Sequence, residues 1–187
     1  ASGCLPSYML EALLQLRQEL GIECRVIGLV RNMQKAKSRF ADYLSSPELT
    51  LIEADVSKMP PIHQHCDFII HAASQASPKY YGPDPVGTMT ANLSGTHHLL
   101  ELARQSGCEG FLFFSTSEVY GQLPPEKTPT RESDYGYIDL LNPRSCYAES
   151  KRAAETLIAS YVQQFQLPGV IVRPYHTYGP GMALDDG

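Results

Sequence analysis

The chain has 187 residues, 43% hydrophobic and 19% charged, with 15 basic against 20 acidic side chains for a net charge of −5. That length and balance suit one globular domain with a sizeable core and exclude disordered, collagenous and low-complexity classes. The acidic balance offers no electrostatic footprint for a nucleic acid, and the longest apolar runs fall far short of the roughly 20 residues a membrane-spanning helix needs, so neither partner is expected.

Taken in chain order, Met9, Leu13, Leu16 and Leu20 recur at helical spacing and Gly21 follows as a stop, which predicts an amphipathic helix with that face turned inward. Glu11, Arg17 and Glu19 interrupt this stretch, so it does not read as a secretory leader. Cys24 to Val30, ended by Arg31 and Asn32, and Leu49 to Glu53 read as strands. Asp67 to Ala72 is a third, apolar throughout its middle, as in strands buried on both faces of a parallel sheet. Met89, Leu93, Thr96, Leu100 and Ala103 line a helical face, and Phe111 to Phe114 form the next strand. Gly121 to Arg144 reads as a long surface loop of the kind that tends to be functional. A helix from about Cys146 to Phe165, a strand over Val170 to Arg173 and a turn-rich stretch from Pro174 to Gly181 close the pattern. Alternating strands and helices predict an α/β fold with a mainly parallel sheet, whose ligands collect at the carboxyl ends of the strands.

The strongest local chemical signal is Tyr147 with Lys151 four residues on, because such a pair shares one helical face. An ammonium beside a phenol favours the phenolate, so Lys151 is expected to lower the Tyr147 pKa from about 10 towards neutrality and make a general base for an alcohol. Ser115–Gly121 (STSEVYG) follows directly on the Phe111 to Phe114 strand, which places the Thr116 hydroxyl and the Glu118 carboxylate at a strand's carboxyl end. His63, His65 and Cys66 have spacing that chance also produces, and the adjacent His97 and His98 cannot both reach one ion easily, so no metal is expected. Five singly spread cysteines, Cys4, Cys24, Cys66, Cys108 and Cys146, make no CxxC pair, so reduced thiols and a cytoplasmic location are expected.

Five motifs in order carry a family resemblance from His71 to Gly187. They are His71–Ser74, Asn92–Thr96, Ser115–Gly121, Tyr147 with Lys151, and Arg173–Pro180 (RPYHTYGP). Together they resemble the NAD-dependent epimerase/dehydratase family of extended short-chain dehydrogenases, which act on nucleotide sugars. Ser77-Pro78 with Tyr81, Ser115–Gly121 and Asn142–Tyr147 look most like UDP-glucuronate decarboxylases, with dTDP-glucose 4,6-dehydratases close behind.

The resemblance implies a Rossmann-like doubly wound parallel sheet flanked by helices. Residues 1–187 would form a partial NAD(P)-binding domain lacking the family's first strand, with 174–187 leading towards a substrate lobe that is mostly absent. It implies catalytic Thr116, Glu118, Tyr147 and Lys151: Tyr147 takes the proton of the sugar 4-hydroxyl, Thr116 orients that hydroxyl, and Glu118 serves as acid or base at C5. Ser2, Gly3, Arg31, Asp55, Val56, Ala72, Ala73, Ser74, Asn92, Tyr147 and Lys151 would hold the cofactor, and Tyr81, Ser117, Arg173 and His176 the substrate. His71 reads as a core residue.

NAD is the implied cofactor. Arg31 stands where the family commonly has a ribose-binding acid and would suit the 2′-phosphate of NADP. Pro6 replaces the third glycine of the phosphate-binding turn, Ser117 the Asp of the dehydratases, and Gly181 an Arg usual in the decarboxylases. A homodimer is implied through the helices around Leu93–Ala103 and Cys146–Phe165. The reactions open at this point are decarboxylation or 4,6-dehydration after transient C4 oxidation, 4-epimerisation, NADP-dependent reduction, and nucleotide binding without turnover.

Overall fold

The computed structural model describes residues 1–180 and 182; Gly181 and the closing part of the 174–187 stretch lie outside the described residues. Helix α1 (Cys4–Leu20) starts after Gly3 and ends on Gly21, whose φ of 64° is the left-handed conformation that glycine adopts without strain. Strand β1 (Val26–Val30) is followed by α2 (Met33–Arg39), which the sequence reading passed over. Asn32 caps α2 by accepting from Lys35 N at 2.8 Å, and the apolar spacing Met33, Ala36, Phe40 was present but only two turns long. Next come β2 (Leu49–Glu53), a 3-10 turn over Val56–Lys58, β3 (Phe68–His71), α3 (Pro85–Ser106), β4 (Gly110–Phe114), α4 (Cys146–Phe165) and β5 (Gly169–Val172).

All strand pairs are parallel, as expected, yet they form two sheets among the described residues: β1-β2 and β3-β4-β5. Helices α3 and α4 lie together on one face of β3-β4-β5, where Leu100, Ala103, Phe111, Phe113, Ala154 and Ile158 are buried. Gly95 is the point of closest approach: a Cβ there would sit 2.6 Å from Val56 Cγ1. Helices α1 and α2 cluster instead with β1 through Leu10, Leu14, Val30, Ala36 and Phe40.

Two expectations about the core are corrected by this split. The inward face of α1 is Leu10 and Leu14, whereas Leu13, Leu16 and Leu20 stand 37%, 45% and 63% exposed. Met9, Leu13 and Leu16 look into a groove of about 1400 Å³ that separates the two sheets. Strand β3 is buried on one face only, with Phe68 66% exposed on the face that borders the same groove. No described strand lies between β1 and β3; Phe68 and Ile70 stay exposed at that edge, while Leu29 packs against the core of the larger sheet.

The long loop is more ordered than its composition suggests. It contains 3-10 turns at Pro125–Lys127 and Pro143–Ser145 and an antiparallel bridge between Gln122 and Tyr137. Arg152 of α4 ties the segment before the loop to its middle, donating to Val119 O at 2.7 Å and Gly136 O at 2.9 Å, and Lys127 pairs with the buried Asp134 at 2.9 Å.

Candidate active site

The carboxyl ends of β3 and β4 and the first turns of α4 converge on the Tyr147 phenol. Tyr147 and Lys151 are both buried, one helical turn apart on the inward face of α4. The Thr116 and Ser74 hydroxyls lie close enough to the phenol to favour its charged form. Ser74 Oγ donates to Asn92 Oδ1 at 2.7 Å, which ties it to α3. Thr116 is held by its place just beyond β4, where its oxygen accepts from Glu118 N at 3.3 Å.

The expected lowering of the Tyr147 pKa by Lys151 is corrected by the structure. Burial, the largest effect, pushes the phenol up, the Thr116 bond pulls it down, and the negative charge of Glu118 pushes it up again. Lys151 has itself lost its preference for the charged form: burial draws it from 10.5 down to about 7. Its Nζ donates to Phe114 O at 2.7 Å and lies 4.5 Å from the Phe113 ring centre and 5.8 Å from that of Tyr147.

Glu118 forks to Arg144 with N–O distances of 3.1 and 3.4 Å. The Arg144 guanidinium covers the Tyr81 ring at 4.6 Å, and Tyr81 stacks on Tyr147 at 4.9 Å and 14° between planes. Arg144 was missed in the sequence, although it sits within the quoted Asn142–Tyr147 run; nothing in its spacing pairs it with Glu118, 26 residues earlier.

Several expected site residues are engaged with other parts of the protein. Tyr81 is fully buried with its hydroxyl on Ala76 O at 2.7 Å, so it backs Tyr147 with its ring face. Asn92 is fully buried with both amide ends engaged, accepting from Ser74 and donating to Ser150 Oγ at 2.8 Å, and so reaches the site through Ser74. Arg173 forks to Glu155 at 2.9 and 2.6 Å, donates to Glu132 O at 2.8 Å and lies over Tyr120 and Tyr135, which occupies it in bracing the long loop. Ser117 donates its backbone N–H to Pro174 O at 3.0 Å, and His176 lies exposed beyond β5.

The other residues expected at the cofactor share one groove. Ser2, Gly3, Arg31, Asp55, Val56, Ala72, Ala73 and Ser74 all line the 1400 Å³ space, part of which is the interval between the sheet edges. Asp55 accepts from Ser57 N at 2.8 Å and Ser57 Oγ at 2.7 Å, and these bonds, ahead of the charge of Arg31, hold its carboxyl below the usual range. Gly3 starts α1 with no side-chain cap, and a Cβ on it would lie 3.3 Å from Pro6 Cγ.

His71 is the core residue expected. Thr96 Oγ1 donates to Asn92 O and so accepts from His71 Nε2 at 2.9 Å, which leaves buried Nδ1 without a partner among the described residues.

The chain is 42% identical to UDP-glucuronic acid decarboxylase 1 of Arabidopsis thaliana over 151 residues, which cover 81% of this chain and 34% of that protein. It is 36% identical to UDP-glucuronic acid decarboxylase 6 of the same plant over 186 residues, 100% of this chain and 51% of that protein. It therefore spans between about a third and a half of the length of these relatives. UDP-glucuronic acid 4-epimerase from Bacillus cereus, solved with UDP-glucuronic acid and NAD, superposes with a TM-score of 0.80 at 24% identity, covering 99% of this chain and 57% of that one; this likeness speaks to the fold alone. Residues 1–186 match the NAD dependent epimerase/dehydratase family, and the chain belongs to it.

Proposed function

We propose that the chain carries the catalytic residues of a nucleotide-sugar decarboxylase acting on UDP-glucuronate. The observation that supports this most is the convergence of the buried Tyr147 and Lys151, one turn apart on α4, with Thr116 and Glu118 just beyond the carboxyl end of β4. Tyr147 takes the proton of the sugar 4-hydroxyl as its phenolate, a form that burial and the Glu118 charge oppose in the free chain and that the positive charge of NAD would favour once bound, with Thr116 beside the reacting oxygens. Lys151, with its Nζ on Phe114 O, braces the side of the Tyr147 ring. Glu118 lies beyond Tyr147 and serves the neighbouring C5 position. The 36–42% identity to UDP-glucuronic acid decarboxylases favours loss of the C6 carboxylate over dehydration.

NAD fits the groove from Gly3 to Ser74: the uncapped start of α1 offers main-chain N–H groups to a pyrophosphate, and Ala72 and Ala73 keep the wall beside it small. When bound it would accept and return a hydride, the one step these side chains cannot supply. Arg31 favours NADP as a second reading, separated by comparing the two dinucleotides in a calorimeter. Exposed Val86 and Met89 on α3 and Val162 on α4 support a homodimer through these helices, checked by sedimentation. The five free cysteines support a cytoplasmic setting, checked by fractionation.

The central test incubates the complete natural protein with NAD and UDP-glucuronate, and separately with dTDP-glucose, and follows products by mass. Release of carbon dioxide and a pentose nucleotide is expected, falling by about 10²–10⁴ in Tyr147→Phe. A folded protein that turns over neither sugar refutes the reading.

A further inference from the structure

We propose that Arg144 is a positioning and specificity-determining residue: by pairing with Glu118 it neutralises the carboxylate that a carboxylated sugar must approach, and so allows the site to take an anionic sugar. This rests on the reading of Glu118 and Tyr147 as substrate-facing groups.

Arg144 is placed by its backbone before its side chain does anything. It sits in the 3-10 turn Pro143–Ser145 that leads into α4, where Arg144 N donates to Asn142 Oδ1 at 2.9 Å and Ser145 Oγ donates to Asp139 O at 2.7 Å. From there the guanidinium makes two engagements at once. Its plane covers Tyr81 at 4.6 Å, and its two terminal nitrogens reach the two Glu118 oxygens at 3.1 and 3.4 Å. A planar fork that both stacks and chelates fixes one carboxylate orientation, which an ammonium could not do. The pair is partly open, with the Arg144 and Glu118 side chains 51% and 35% exposed, so a ligand can reach it.

The charges around this point make Arg144 necessary. Glu118 is the carboxylate whose field reaches both Tyr81 and Tyr147. Lys151 lies behind the Tyr147 ring with its Nζ on Phe114 O, and Arg152 is committed to Val119 O and Gly136 O. Arg144 is thus the cation in direct contact with Glu118. Without it, a C6 carboxylate arriving beside Glu118 meets a bare like charge, whereas a hydroxymethyl group at C6 does not. The selectivity between the two sugars then depends on this one side chain.

The test uses the complete natural protein with NAD bound and measures binding of UDP-glucuronate and UDP-glucose by calorimetry in wild type, Arg144→Met, Arg144→Lys and the double variant Glu118→Gln/Arg144→Met. Arg144→Met is expected to weaken UDP-glucuronate about tenfold or more while changing UDP-glucose less than twofold. Arg144→Lys should recover part of the loss. The double variant should recover most of it, because the charge that repels the sugar is gone. Equal weakening of both sugars, or no recovery in the double variant, overturns the proposal. Melting curves of all four proteins identify any variant that has lost its fold, and Arg144→Lys then carries the comparison on its own. Failure of the wild type to bind UDP-glucuronate overturns the functional reading as well, whereas wild-type binding unchanged in Arg144→Met overturns this inference alone.

Discussion

Replacing Lys151 with Met should stabilise the folded chain at neutral pH while removing a residue of the candidate site. Lys151 is 2% exposed and burial holds its pKa at about 7 against 10.5. That gap corresponds to about 5 kcal/mol of resistance to burying the ammonium, at roughly 1.4 kcal/mol per pH unit. Met has similar volume and no charge, but it leaves Phe114 O without its 2.7 Å donor, a loss of about 1–3 kcal/mol. The net expectation is a Met variant about 2–4 kcal/mol more stable at or below pH 7.

The pH dependence is a sharper check than the magnitude. Because the folded-state pKa is depressed, the unfolded chain binds more protons between about pH 7 and 10.5, and the native protein gains stability as pH rises through that window. The advantage of Met therefore shrinks above pH 7 and reverses between about pH 8 and 10, where a neutral amine still donates to Phe114 O. Urea denaturation of both proteins, without cofactor, at pH 6.5, 8 and 9.5 measures this directly. A Met variant less stable at pH 6.5, or a gap that does not narrow with pH, would refute the reasoning.

His71, buried and drawn down to about 3 by burial and the nearby Lys151 charge, stays neutral while the unfolded chain takes up a proton below pH 6.5. Stability is thus lost as pH falls from 6.5 towards 3, and His71→Leu should flatten that limb by up to about 1.4 kcal/mol per pH unit in urea titrations. Arg173→Met strands the Glu155 carboxylate at 11% exposure and should cost about 3–5 kcal/mol by chemical denaturation; a cost under about 1 kcal/mol would mean the pair does not brace the loop. Gly95→Ala drives a methyl to 2.6 Å from Val56 Cγ1 and should destabilise by about 1–2 kcal/mol, overpacking outweighing the better helix propensity, with recovery when Val56→Ala is added.

The strands and long helices were legible because their signals are local: β-branched runs ended by turn residues, and apolar spacing ended by Gly21 or Gly107. Tyr147, Lys151 and Thr116 were legible for the same reason, since four residues along a helix or the end of a strand fixes where a side chain starts. What was lost is what depends on partners distant in sequence. The inward face of α1 could not be read because Leu10 and Leu13 are equally apolar, and only the position of β1 decides between them. The partners of Asn92 were not legible, because Ser74 and Ser150 lie 18 and 58 residues away in sequence. The expected Lys151 effect on Tyr147 failed because spacing shows proximity but not desolvation, and here burial shifts both groups away from their charged forms.

That desolvation also explains why so much polar chemistry lies inside a domain whose sheets would pack better without it. His71, Asn92, Thr96, Ser150 and Lys151 are all 2% exposed or less, and they form a band between β3, α3 and α4 rather than being scattered through the core. A core selected for packing alone would fill such a band with Leu and Val, because each buried polar group gains little net stability even when paired. Here most members hold another member in one rotamer: Ser150 accepts from Asn92, Asn92 accepts from Ser74, and Ser74 lies beside the Tyr147 phenol. The donors run from Ser74 through Asn92 and Ser150 to the Cys146 carbonyl, from the site into the helix interior, so the Ser74 oxygen beside the phenol is oriented by bonds buried well behind it. Hydrophobic replacement along this band should raise stability at Lys151, where a charge is relieved, and lower it at Asn92, where three neighbours lose their partner or its support. That opposite sign at two residues of one network separates a band kept for orientation from one kept for stability.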